Sequence, residues 1–418
     1  MGIHDLDGRL AFWLRTREFA VPRHMIETAT ARREAGDWGG ACAAARVDVD
    51  LNLRVLARER GPDTAALVRA DLRHLAPDLL RWHMPRIAPD GLLRPGLTVG
   101  LARYADLHLV ARTPPGWAGA GQRISLALWD GGGAGSHPHP RPDRHFRLDL
   151  HRHLWDARRA GELAVRAGGP GRWAAEAAIL RAADGAGDAD VVVRLGGARR
   201  LRLARDGTTR PAKRTEATLP VLPHAATWEP PDAELLRAGL IDPGRLHPLV
   251  AAALAPGHRV RAGTAGEDGV RIVECRGERH RIGLLGGVLV ALDHDPAQLR
   301  REELLAALGG PPLPCLQAID DAHRHPECLE DVRARLDHGD ADGALCAVEA
   351  LLGPDAPLRH GPLRDALDAA VRGRVAHGLF RAGLADTGPA LPPRPPRHAG
   401  QADTGPALPP RRPRRATR

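Results

Sequence analysis

The stretch Val332 to Leu352, VRARLDHGDADGALCAVEALL, carries apolar residues at helical spacing on both sides of His338-Gly339-Asp340. Glycine at such a point ends one helix, and aspartate caps the next through its side-chain oxygen. The stretch therefore reads as two amphipathic helices meeting at a tight Gly-Asp turn. A weaker copy, RREAGDWGGACAAARV, runs from Arg32 to Val47 and aligns Gly36, Asp37, Gly40, Ala41 and Ala44 with Gly339, Asp340, Gly343, Ala344 and Ala347. Two similar helical hairpins thus bracket a middle of different character.

Working outward, the pattern predicts an α+β fold in four regions. Residues 1–90 form a helical region, with Val68, Leu72, Leu75 and Leu79 on one helical face and Pro77 set to kink or end that helix. Residues 91–295 form a mixed region: strands at Leu107 to Arg112 and Gln122 to Trp129, helices at Leu150 to Val165 and Trp173 to Ala183, a hairpin about Gly196-Gly197, and a three-stranded meander from Val270 to Leu292. Residues 296–385 are helical again, opened by Asp295 as cap and Pro296 in the first position. Residues 386–418 form a disordered Pro/Arg-rich tail in which ADTGPALPPR occurs twice, at Ala385 to Arg394 and Ala402 to Arg411.

The net charge of +9 would suggest nucleic acid if it lay on the folded body. It does not: the tail from Asp386 holds seven Arg against two Asp, or +5, leaving +4 for the rest. Lys213 is the single lysine, so basicity is almost wholly arginine, a bias expected of GC-rich coding. Five cysteines in 418 residues do not form a disulfide framework, and neither a leader-like segment nor a long apolar run is present. The expectation is a reduced, cytoplasmic protein with no membrane partner.

Several chemistries fail on residue supply. The two serines, Ser125 and Ser136, lie in no nucleophile-elbow pattern, and Lys213 lies in no Gly-rich phosphate loop. The richest metal-ligand run is HPHPRPDRHFRLDLHRH, which offers His137, His139, His145, His151 and His153, with Asp143 and Asp149 between them, to a divalent metal. Cys315, His323, His325 and Cys328 have the ligand types of structural zinc, although one helix would hold Cys315 and His323 about 12 Å apart. Cys275, His280, Asp293, His294 and Asp295 surround the meander as a candidate acid-base group. The Val332 to Leu352 hairpin also places Asp340, Asp342 and Glu349 as in a calcium loop, but His338 stands where the first carboxylate belongs.

With no catalytic kit assembled, the sequence points to a non-catalytic interaction or scaffold protein that holds a protein partner on its helical hairpins. The alternatives are a metal-dependent hydrolase using His137 to His153 and weak nucleic-acid binding through the Arg-rich tail.

Overall fold

The computed structural model describes residues 3–118, 122–132, 137–166, 169–195, 199–212, 218–258, 271–275, 277–285, 288–325, 330–352 and 362–384. The fold is α+β, in two compact units: unit 1 is built from residues 1–116 and 124–258, unit 2 from residues 117–123 and 259–389. The sequence regions at 1–90, 91–295 and 296–385 group stretches of like secondary structure. The units group what shares a core, so the first helices join the strands near residue 100, and the meander joins the helices that follow it. The 386–418 tail lies outside the described residues.

Unit 1 opens with α1 (Ile3–Ala20), α2 (Arg23–Glu34), α3 (Trp38–Ala44), a short β1 (Val47–Val49), α4 (Leu53–Arg60), α5 (Pro62–His74) and α6 (Pro77–His83). The helix of Val68 and Leu72 ends at His74, and Pro77 opens α6, where its missing N–H costs nothing. After the small ribbon β2 (Arg86–Ile87) and β3 (Leu92–Leu93) come β4 (Thr98–Tyr104), β5 (Leu107–Arg112) and β6 (Ile124–Trp129). These form a sheet of order β1-β6-β5-β4, antiparallel except for the parallel β1-β6 pair. Neither β1 nor β4 is legible in the sequence: β1 is three residues long, and β4 is broken by a register shift between Gly100 and Ala102.

Every residue of α6 is buried, including Asp78, Arg81 and His83. Such a helix is tolerated only because its polar groups find partners. Asp78 meets His247 Nε2 at 2.9 Å, Arg81 Nε donates to the Ala20 carbonyl at 2.9 Å, and Trp82 Nε1 donates to Asp232 at 3.0 Å. Around α6 the core gathers Leu72, Leu75, Leu79 and Leu80 with Val99, Leu101, Leu109, Ile124 and Leu126 of the sheet.

The predicted helix from Leu150 to Val165 does not form. That segment holds two single turns, Arg152–Leu154 and Ala160–Glu162, before the short α7 (Leu163–Arg166). Its backbone is used elsewhere: Ala76 N donates to the Trp155 carbonyl at 2.8 Å and Ala157 N to the His74 carbonyl at 2.9 Å. Beyond it, α8 (Trp173–Asp184) packs on the ribbon of β7 (Val191–Arg194), β8 (Arg200–Leu203) and β9 (Thr209–Pro211), burying Trp173, Ala177, Leu180, Val191, Val193 and Leu203. The unit closes with α9 (His224–Thr227), α10 (Pro231–Arg237) and α11 (Pro248–Leu254).

Unit 2 contains the expected meander, β10 (Arg271–Cys275), β11 (Glu278–Leu285) and β12 (Val288–Ala291), antiparallel throughout. Then follow α12 (Pro296–Ala307), α13 (Pro314–Arg324), α14 (Glu330–Asp337), α15 (Ala341–Leu352) and α16 (Pro362–Arg381). Asp295 caps α12 by accepting from Ala297 N at 3.2 Å. One small cluster holds Cys275, Ile282, Ala291, Leu313 and Cys315; a second holds Val332, Ala344, Val348 and Leu363. No helix among the described residues is long and apolar enough to cross a membrane.

Candidate functional site

The His-rich run of the sequence lies along the edge strand β4. Thr98 Oγ1 donates to the His139 carbonyl at 2.5 Å, Asp143 N donates to the Thr98 carbonyl at 2.9 Å, and Asp149 N donates to the Gly100 carbonyl at 2.8 Å. Pairing an otherwise open strand edge in this way satisfies its carbonyls and fixes the run in place. The 139–149 segment so held presents Arg141, Arg144 and Arg147 to a cleft of about 550 Å³ in unit 1. Arg103, His108, Trp129, Asp149 and Asp184 line it as well, together with the Thr218 to Val221 segment.

The charges of this cleft do not cancel. Four arginines, 103, 141, 144 and 147, face two aspartates, 149 and 184. Both carboxylates are taken: Arg147 grips Asp149 at 2.9 and 2.8 Å through two nitrogens and reaches Asp184 at 3.1 Å, while Arg103 lies 3.6 Å from Asp184. Burial alone would lower the Arg147 pKa, and the two aspartates outweigh it, raising the group above its ordinary value. Arg141 and Arg144 are exposed and have no carboxylate partner among the described residues. His108 packs on Trp129 with ring centroids 5.3 Å apart, and burial followed by the charge of Arg103 lowers its pKa. A wall of arginines beside a half-buried indole can hold an anion and stack a flat ring.

Four of the five histidines of the run make contacts inside unit 1. His137 Nε2 donates to the Thr113 carbonyl at 2.9 Å, and its Nδ1 accepts from His139 N at 3.2 Å. The His139 side chain is exposed. His145 lies against Phe146 and His224, and burial lowers its pKa to about 4 and that of His224 to about 3. His151 and His153 are buried ring neighbours at 5.7 Å. His151 Nε2 lies 3.2 Å from Glu176, while burial lowers the His153 pKa to about 2. Burial alone would raise Glu176; His151 and Arg166 hold it down at about 2. No three of the five imidazoles offer ligand atoms within 4.8 Å of one another.

In unit 2 the structure joins members of two different sequence groups. Cys275, His294 and Cys315 place their ligand atoms within 4.8 Å of one another, the only such set among the described residues. Burial followed by a hydrogen bond to Cys275 pushes the Cys315 thiol up to about 11. Of the remaining candidates, Asp293 is bound by Arg281 at 2.8 Å and Asp295 is the α12 cap. Cys328 and the His323 side chain lie outside what is described. Asp340 accepts from Gly343 N at 3.3 Å and pairs with Arg335 at 3.3 Å, as the capped-hairpin reading requires.

Arg141, Arg144 and Arg147 recur every third residue within the His-rich run, a spacing that carries no cleft signal in the sequence alone. The two residue types interleave, and which of them faces the cleft depends on how the run lies against β4. Comparison of the chain with known protein families, with curated proteins and with solved structures gave no match.

Proposed function

We propose that this is a binding protein whose unit 1 cleft holds a small phosphate-bearing molecule with a flat ring. One observation carries the reading: Arg141 and Arg144 stand without carboxylate partners at a cleft of about 550 Å³, on a segment stapled to β4. That volume falls within the few hundred to 1,000 Å³ usual for small-molecule sites. The Arg147 and Asp149 pair orients one wall, and Trp129 supplies the stacking face. Calorimetric titration with inorganic phosphate, ribose 5-phosphate and nucleoside phosphates tests it. R141A/R144A should bind at least about tenfold more weakly with an unchanged melting temperature. W129L should weaken nucleoside phosphates while leaving inorganic phosphate unaffected. Wild-type protein that binds none of the panel, or a double variant that binds as tightly, overturns the reading.

A second proposal keeps a protein partner but seats it on α12 in place of the helical hairpins. It is favoured by Leu304 and Leu305 of α12 and by Leu308 just beyond it, which are 65%, 53% and 85% exposed. Three large apolar side chains exposed within five residues form the kind of patch that partners cover. A partner that binds wild type and equally well binds L304E/L308E would sink it.

A further inference from the structure

We propose that unit 2 holds one zinc ion on Cys275, His294 and Cys315, with His280 as the fourth ligand. The proposal is independent of the cleft in unit 1. Cys275 is the last residue of β10, His294 sits in the turn between β12 and α12, and Cys315 is the second residue of α13. Three separate elements therefore bring soft and borderline donors to one point, all within 4.8 Å of one another. In a tetrahedral zinc site with bonds of about 2.0–2.3 Å, ligand atoms stand about 3.3–3.8 Å apart, so small rotations of the side chains close the set.

The fourth position has an occupant at hand. In the β10-β11 register Cys275 faces Glu278 and Val273 faces His280, so period-two alternation puts Cys275 and His280 on the same face of the meander. The His280 ring stacks on His294 with centroids 4.2 Å apart, and its buried Nδ1 has no hydrogen-bond partner among the described residues. A buried imidazole nitrogen without a partner, on a ring stacked against one histidine of the set, is available to complete it by a side-chain rotation.

The small core gives the ion something to do. The cluster between meander and α13 has five buried residues, two of them the cysteines themselves, and α12 buries none. A core of that size is stabilised in many small domains by a structural metal. As the ion binds, each thiol gives its proton to solvent and each sulfur donates a pair to zinc; no redox step is involved. Two thiolates and two imidazoles fill the tetrahedron, which makes the site structural, with no open position for a substrate.

The test uses the full chain purified under reducing conditions. Metal analysis should find one zinc per chain, and cobalt exchanged into the site should show the visible bands of tetrahedral cobalt with thiolate-to-metal charge transfer. C275S, C315S and H294A should lose the metal, and H280A should hold it at least about tenfold more weakly. C346S, which alters an exposed cysteine of α15, should keep it and guards against general misfolding. Chelation should lower the melting temperature of wild type and leave C275S/C315S unaffected. A chain that takes up neither zinc nor cobalt, cobalt spectra without thiolate charge transfer, or a Cys275-Cys315 disulfide that persists under reductant overturns the site; H280A binding as tightly as wild type overturns the fourth ligand.

Discussion

Two turns of this molecule are built alike and set in different surroundings. At Arg32 to Ala41 the Asp37 N–H donates to the Arg32 carbonyl at 2.9 Å, Asp37 Oδ1 accepts from Gly40 N at 2.8 Å, and Arg32 meets Asp37 Oδ2 at 3.1 Å. At Arg335 to Ala344 the matching distances are 2.7, 3.3 and 3.3 Å. Gly36 and Gly339 adopt φ of 78° and 79°, the left-handed conformation that glycine enters without strain. The difference is solvent: the Asp37 side chain is 45% exposed, the Asp340 side chain 2%. The same local hydrogen bonds therefore carry different energetic weight, because water can replace the first set and cannot reach the second.

The aspartates offer the strongest way to break this comparison. D340A removes a cap and leaves Arg335 beside an emptied buried site, so about 2–3 kcal/mol should be lost. D37A removes an exposed cap and should cost about 0.5–1 kcal/mol. Equal costs in urea denaturation followed by circular dichroism would mean that burial is not what separates the two turns.

A smaller effect is expected at the glycines that admit the cap. A Cβ at Gly343 would stand 2.2 Å from the Asp340 carboxylate, and one at Gly40 would stand 2.1 Å from that of Asp37. Asp37 has room to swing into solvent, so G40A trades a cap for better helix propensity and should stay within about 0.5 kcal/mol of wild type. Asp340 has no such room, and G343A should cost about 1–2 kcal/mol. The smallest difference is predicted where strain is purely local. G36A and G339A should each cost about 1 kcal/mol, since the left-handed backbone penalises any Cβ alike in either setting. A gap between them in the same denaturation series would show that the turns differ in backbone as well as in burial.

What could be read in advance follows the same division. The Gly-Asp turns, the Asp295 cap and the meander were legible because each is closed by bonds between residues close in the chain. The expected helix at Leu150 to Val165 failed because residues 155–157 bond to residues 74–76, a pairing no local pattern encodes. The cleft is half legible: the run 137–153 stands out for its histidines, and its arginines become the lining because β4, which no sequence pattern marks, fixes how the run lies. In the sequence Cys275 and Cys315 fall in separate groups, and only the packing of α13 on the meander joins Cys275 and His294 to Cys315.

The sequence by itself determined the α+β character, the turn chemistry and the capped hairpins, since backbone conformation, side-chain caps and apolar periodicity act over a few residues. Only the tertiary structure decided which aspartate is sealed from water, which face of the His/Arg run lines a cleft, and which cysteines meet a histidine. Those outcomes depend on segments far apart in the chain excluding solvent together, and local pattern carries no information about that.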